Sequence, residues 1–360
     1  MIEIDGSGQS GSGTIVRDAI AFCILRGEGL RLKNIRAKRP KPGLRAQHLK
    51  ALEASARICR GELKGASVGS REITFVPRKA IKGGEYGWDI GTAGSTTMLA
   101  LTVLPLALFA DRPSRYRITG GLFQDFAPSA FHLQHVLLPI LRRMGITVDV
   151  EIIRPGYVPQ GQGVIEVTVM PAGGKLQPLS LVHQGSVAHI KGVALSSWLK
   201  GRKVSERMAQ ECRKALKPRG YDPKIDVLYD EKEKPVYDDP SAQPGAALAL
   251  WAQTDTRCLI GLDMAGARGR SAEFIGKRTA EHLLEDLDTG AAVDRHLADQ
   301  IIPFAALAEG RSAFRVPRMT EHIETRLWMV EEILGAKTDV QGDLIRIQGI
   351  AYERGRGVIL

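Results

Sequence analysis

Asp5 to Gly13 reads Asp-Gly-Ser-Gly-Gln-Ser-Gly-Ser-Gly and stands between a short apolar start, Met1 to Ile4, and a helix-like run from Thr14 to Leu25. That order predicts a strand-to-helix turn at the glycines. Glycines let a ligand approach the backbone, and the helix that follows offers unpaired N–H groups and a partial positive charge. The chemistry implied is anion binding, with a phosphate as the natural occupant. An ordinary tight turn is the competing reading, although Gly6, Gly8, Gly11 and Gly13 together exceed what a turn needs. Gly6, Gly8 and Gly11 also match the dinucleotide fingerprint G-x-G-x-x-G, with Arg36 at the end of the next strand suited to a 2′-phosphate of NADP. No lysine follows the last glycine, so the nucleoside-triphosphatase P-loop is not matched.

The elements that would hold this loop recur along the chain. Periodicity predicts a helix over Thr14 to Arg26, a strand over Leu30 to Ile35, a helix over Gly43 to Cys59 and strands over Glu62 to Ala66 and Glu72 to Val76. Gly91-Thr92-Ala93-Gly94-Ser95 opens a second such series, with helices to Ala110 and over Pro128 to Met144 and strands around Arg115, Thr147 and Val164. A third runs from Asp294 to Gln348. The fold class expected is α/β (α+β), with three repeated helix-strand-helix-strand-strand units in a large domain and a smaller inserted α/β domain. The expected borders are 1–183 for the first two units, 184–270 for the insertion and 271–360 for the third unit. Such a unit differs from the alternating βαβ of a dinucleotide fold, which makes an NADP-dependent oxidoreductase a minority reading.

With 360 residues, 44% hydrophobic and 25% charged, the chain has the composition of a globular protein with a large core. A net charge of +10 favours polyanionic partners, nucleic acid first. Cys23, Cys59, Cys212 and Cys258 form no C-x-x-C pair, which suggests neither a zinc site nor a disulfide framework and fits a cytoplasmic protein. The longest apolar run, Leu99 to Ala110, is too short to span a bilayer and holds Pro105, so no membrane role is expected. Oligomeric state is not legible.

Taken in order, the motifs resemble RNA 3′-terminal phosphate cyclase over nearly the whole chain. The match rests on Asp5-Gly6 through Arg17, Ile35 through Leu44, Gln47-His48-Leu49, Gly91 through Ser95 with Thr102 through Pro105, Phe109-Ala110-Asp111, Leu297 through Gln300, and the helix around His322. The resemblance implies ATP-dependent chemistry assisted by Mg²⁺ or Mn²⁺. A histidine takes AMP from ATP, passes it to an RNA 3′-phosphate, and the neighbouring 2′-hydroxyl displaces it to leave a 2′,3′-cyclic phosphate. RNA repair or processing is the implied setting.

His322 matches the nucleophile of that family. Thr320 suits an N-cap, which puts His322 in the first turn of a helix striped by Ile323, Leu327, Val330 and Ile333, where the helix N-terminus disfavours imidazolium. A neutral ring keeps a lone pair for covalent catalysis. A solvent-facing histidine between Glu321 and Glu324 is the plain alternative. Arg17, Arg36 and Arg39 match basic active-site positions, and guanidinium forks suit phosphate oxygens. Lys38, Lys41 and Arg45 are read as a solvated loop with Pro40 and Pro42. Gln47 and His48 are candidate substrate contacts. Leu297, Ala298, Asp299 and Gln300 match the ATP-contacting segment, Arg17 is grouped with them as a nucleotide contact, and Asp299 is also a candidate to orient His322.

Three positions depart from the pattern. Ser10 stands where a metal-placing glutamate is expected, and a neutral hydroxyl is a poor ligand for a hard cation. Leu101 replaces a glutamine and His296 a tyrosine, both at nucleotide-contacting positions. Asp5, Asp125 and Glu85 are other carboxylates considered for the metal. These changes keep open a family member that binds RNA without cyclising it. Gly65-Ala66-Ser67-Val68-Gly69 spells G-x-S-x-G but lacks the following helix a nucleophile elbow needs, so it reads as a hairpin turn. His132 and His135 share a helix face without a third ligand and read as core or surface residues.

Overall fold

Apolar stretches too short to fold alone are gathered into small sheets, each covered by helices, in the structure, a computed structural model that describes residues 1–354. The chain begins β1 (Ile2–Asp5), α1 (Gly13–Arg26), β2 (Leu30–Lys33), α2 (Ala46–Cys59), β3 (Glu62–Lys64) and β4 (Ile73–Val76). Next come β5 (Gly84–Asp89), α3 (Thr96–Ala107), β6 (Ser114–Gly120) and α4 (Ala130–His132), which continues through a π-helical turn into α5 (Leu138–Arg142), then β7 (Val148–Arg154), β8 (Gly163–Val169) and the short β9 (Ser180–Leu181). A separate segment holds β10 (Val187–Ser197), α6 (Val204–Leu216), β11 (Lys224–Asp230), β12 (Gly245–Thr254), β13 (Leu259–Ala265) and α7 (Ala272–Asp288). The last is α8 (Leu297–Leu307), β14 (Glu309–Arg315), α9 (Glu321–Met329, continuing to Leu334), β15 (Lys337–Gln341) and β16 (Leu344–Ile350). The architecture is mixed α/β, built of several small mixed sheets and their helices.

Four four-stranded sheets share one pairing pattern, a parallel pair followed by two antiparallel pairs. β1 lies parallel to β2, with β4 and β3 antiparallel beyond it. The sheets β5-β6-β8-β7, β9-β14-β16-β15 and β11-β10-β12-β13 follow the same sense. A dinucleotide-binding sheet is parallel and doubly wound, so the fingerprint at Gly6 lacks the frame it requires. Ser67 and Ser70 cap an exposed turn between the antiparallel β3 and β4, as the missing helix suggested.

One core draws on three of the sheets and on one face of the fourth, through Val193, Leu195, Ala247 and Ala249, and the separate segment has a second core from Val204, Met208, Leu248, Ile260, Ile275 and Leu283. Helix α7 contributes Ala272, Ile275, Ala280, Leu283 and Leu287 to that second core. Within the main core, α1 is buried at every residue from Gly13 to Leu25. A helix apolar on all sides belongs inside, and its few polar groups, Thr14, Arg17 and Asp18, must then find partners. Those partners define the candidate site.

Candidate active site

Helices α1 and α9 lie side by side and run in the same direction. Thr14 Oγ1 sits 3.2 Å from His322 Nδ1, and one turn further Arg326 Nε donates to Asp18 Oδ2 at 3.1 Å. Both rungs join residues 308 apart, so one register holds through the contact. Parallel packing brings both N-termini to the same end, where their partial positive charges add. Each start is capped, Ser12 Oγ accepting from Thr14 N at 3.3 Å and Thr320 Oγ1 from Ile323 N at 3.2 Å. His322 is therefore in the first turn of its helix, as its sequence neighbours predicted.

The glycine turn is fastened to this end. Ser10 Oγ donates to Ser12 Oγ at 2.9 Å and lies 2.8 Å from Thr325 Oγ1, which also accepts from the Ser10 N–H at 3.2 Å. Gly11 has φ +52°, and a Cβ there would strike the Lys38 side chain. Lys38 Nζ donates to the Gln9 carbonyl at 2.7 Å, so Lys38 ties two loops together and is more than a solvated cation. At Gly13 a Cβ would meet His48 Nε2 at 2.1 Å, which explains the fourth glycine as a packing requirement.

Arginines surround the mouth. Arg17 is only 7% exposed, and the one hydrogen bond of its guanidinium among the described residues is long, 3.4 Å from Nη2 to Thr14 Oγ1. Burial lowers its pKa to about 10, which leaves it charged at neutral pH with no acid in ion-pair range among the described residues. Arg36 lies beyond β2 and not at its end. Its φ is +54°, and Nη1 donates to the carbonyls of Lys41 and Gly43, both at 2.8 Å, which closes its own loop. Arg39 is half-buried, its backbone N–H donates to the Arg36 carbonyl at 3.0 Å, and its guanidinium has no hydrogen bond or ion pair among the described residues. His48 is buried, and Nδ1 accepts from Arg45 N at 3.2 Å. Burial first, then Arg17, Arg36 and Arg45, pushes its pKa to about 2, so it is a neutral packing and polar group. Gln47 Oε1 accepts from Ser95 N at 3.1 Å, joining α2 to the start of α3.

His322 is open to a ligand on one side, while the protein around it lowers its pKa. Burial is the largest cause, Asp299 opposes it, and Arg326, Arg17 and Arg39 add to it. The neutral form therefore persists below pH 6.5, the ordinary value for histidine. The expected result is that the rate of any covalent step at His322 stays level from pH 8 down past pH 6.5 and falls only below it. A single-turnover pH profile with a midpoint above 6.5 contradicts this.

Helix α8 forms another wall. Asp294, fully buried, accepts from His296 N at 2.8 Å, Leu297 N at 2.7 Å and Gly261 N at 2.9 Å, and meets His132 Nε2 at 3.2 Å. His132 is thus a core residue bridging the two cores. Its neighbour His135 stacks on Trp251. The His296 ring stands edge-on to His132 with centroids 6.1 Å apart. The Leu297 and Ala298 side chains are fully buried in the core. Asp299 Oδ2 lies 3.4 Å from Arg326 Nη1, and Gln300 Oε1 is buried without a hydrogen-bond partner among the described residues. Leu101 lines a small cleft with Asp18, Thr102, Gln300 and Arg326.

These residues do not fit a metal held by the protein. The Ser10 hydroxyl is occupied by Ser12 and Thr325. Asp5 accepts from Ser7 and Asn34, and Asp125 is paired with Arg270. Among the described residues no three His, Cys, Asp or Glu side chains gather as a ligand set. Sequence reasoning missed Thr14, Thr325, Asp18, Arg326 and Asp294.

Residues 8–340 match the family model described as RNA 3′-terminal phosphate cyclase. Proteins of that name from Methanopyrus kandleri (38% identity, 95% of this chain and 96% of theirs), Caldivirga maquilingensis (40%, 94% and 94%) and Pyrococcus abyssi (38%, 96% and 96%) align along almost their entire lengths. The chain belongs to the RNA 3′-terminal phosphate cyclase family. Among the described residues no helix is long and apolar enough to cross a membrane.

Proposed function

We propose that the protein transfers AMP from ATP to His322, passes it to an RNA 3′-phosphate and releases a 2′,3′-cyclic phosphate. The observation that carries this reading is Arg17, a buried and charged guanidinium with no acid in ion-pair range among the described residues and only the longer-range fields of Asp18 and Asp299, beside a histidine held toward its neutral form at two joined helix N-termini. Burying a cation without a directly bonded acid is costly, and an anionic substrate placed against it offsets that cost. In the first step the His322 lone pair forms a bond to the α-phosphorus while the bond to the bridging oxygen breaks and pyrophosphate leaves. Arg17, Arg39 and the free arms of Arg36 stabilise the charge that develops on the phosphoryl oxygens. The RNA 3′-phosphate oxygen then attacks the same phosphorus and frees the imidazole. Attack of the 2′-hydroxyl on the RNA phosphorus closes the ring and expels AMP.

Asp299, Gln300 and His296 are the side chains on α8 suited to hold the nucleotide, and Gln47 and His48 support the RNA side of the cleft. We route no step through Mg²⁺ or Mn²⁺, because Ser10 is engaged by Ser12 and Thr325, Asp5 by Ser7 and Asn34, and Asp125 by Arg270. Four free cysteines, all buried, suit a reducing cytoplasm. The shared pairing pattern supports reading three of the sheets as copies of one unit, with the insertion extending from about 184 to 288 through α7.

Arg39→Ala is expected to slow adenylylation about 10²-fold while leaving the thermal midpoint unchanged, since the Arg39 guanidinium has no protein partner to lose among the described residues. Incubation with ATP and an oligonucleotide ending in a 3′-phosphate tests the reaction itself. The expected product has an end that phosphatase no longer removes. Unchanged RNA that still binds in a salt-sensitive way would favour a non-cyclising processing or assembly factor, the reading that the occupied Ser10 hydroxyl supports.

A further inference from the structure

We propose that Thr14 is a positioning residue for His322, its hydroxyl oxygen accepting the Nδ1 proton so that Nε2 carries the attacking lone pair. The inference rests on the adenylylation reading above. Thr14 is 3% exposed, with Oγ1 3.2 Å from His322 Nδ1. Its backbone N–H is held by Ser12, and its branched Cβ restricts the side-chain rotamer. The contact therefore comes from a rigid part of the fold.

A hydroxyl has one proton and two acceptor sites. Arg17 Nη2 donates to the Thr14 oxygen at 3.4 Å and takes one of those sites. That leaves two arrangements for the histidine. If the Thr14 proton points at Nδ1, the ring proton sits on Nε2 and the outer nitrogen cannot attack. If the proton points away, the second acceptor site takes Nδ1–H and Nε2 is free. An anion at the joined N-termini of α1 and α9 decides between them, since a phosphate oxygen attracts the Thr14 proton and turns the oxygen toward Nδ1–H. Substrate binding thereby selects the nucleophilic tautomer. When the bond from Nε2 to phosphorus forms and pyrophosphate departs with its electron pair, Nδ1 keeps its proton on Thr14, and the positive ring stays a good leaving group for the next transfer. This is a second partner fixing a histidine tautomer, the role a carboxylate or carbonyl commonly takes.

The test combines spectroscopy with labelling. In the protein labelled with ¹⁵N-histidine and bound to AMP, the His322 proton is expected on Nδ1. Thr14→Val is expected to move it to Nε2 and to slow labelling by α-phosphate-labelled ATP about 10- to 100-fold, while Thr14→Ser restores both readouts. A wild-type proton on Nε2, or Thr14→Val labelled at the wild-type rate, overturns the proposal. Should Thr14→Val fail to fold, the wild-type spectrum alone decides. Absence of label on the wild-type protein would sink the adenylylation reading, whereas label on wild type with an indifferent Thr14→Val sinks only the role of Thr14.

Discussion

His322→Ala is expected to reduce ATP-dependent labelling and RNA cyclisation by about 10⁴-fold or more, because removal of a covalent nucleophile leaves only binding and charge stabilisation. The loss should come without unfolding. Among the described residues the ring's one hydrogen bond is to Thr14, and the residue is exposed, so little packing goes with it. Circular dichroism and the thermal midpoint of the variant should match the parent. His322→Asn should be equally inactive, since an amide can hydrogen-bond to Thr14 and still cannot attack phosphorus. An active His322→Ala would move the chemistry to another residue. His48, another imidazole beside the start of α1, is poorly suited, with Nδ1 committed to Arg45 and Nε2 pressed against Gly13.

Arg326→Met is expected to have the largest effect on stability, about 3–5 kcal/mol. Arg326 is buried between two acids, with Asp18 Oδ2 at 3.1 Å and Asp299 Oδ2 at 3.4 Å, and it also donates to the Asp299 carbonyl. Burial already raises the Asp18 carboxyl above its usual range against the pull of Arg326 and Arg17. Without Arg326 that carboxylate keeps only Arg17 nearby. The urea midpoint should fall accordingly. The double variant Asp18→Leu/Arg326→Met should recover much of the loss, because removing both charges avoids an uncompensated buried ion. A double variant as unstable as the sum of the singles would show that the pair is not the cause.

The local parts of the site were legible because they are written in adjacent residues. Ser12 and Thr320 cap their helices where caps are expected, and the glycines fall in the turn between β1 and α1. What could not be read is the register between α1 and α9, since nothing in either segment states that Thr14 and His322, 308 residues apart, are neighbours. The consequence reaches Asp18, next to Arg17, and Arg326, one helical turn from His322. Ser10 was read as a weak metal ligand, yet its partner Thr325 lies far along the chain and gives it a fastening role instead. Other signals were present and unused. Ile275, Thr279, Leu283 and Leu287 recur at helical spacing after the cap Ser271, so α7 could have been foreseen. Asp294, just ahead of α8, has the type and place of a capping acid. Strand β5 escaped because Gly84 and Gly87 dilute its alternation, and β9 is only two residues long.

The most direct measurement is the site of covalent label. The protein is incubated with ATP labelled at the α-phosphate, digested at neutral or alkaline pH, and the labelled peptide identified. The account predicts one acid-labile adduct on His322, discharged when RNA ending in a 3′-phosphate is added, with cyclic-ended RNA and AMP appearing together. Cyclic-ended RNA formed with the label on another residue, or with no protein-bound label at any time, would contradict it.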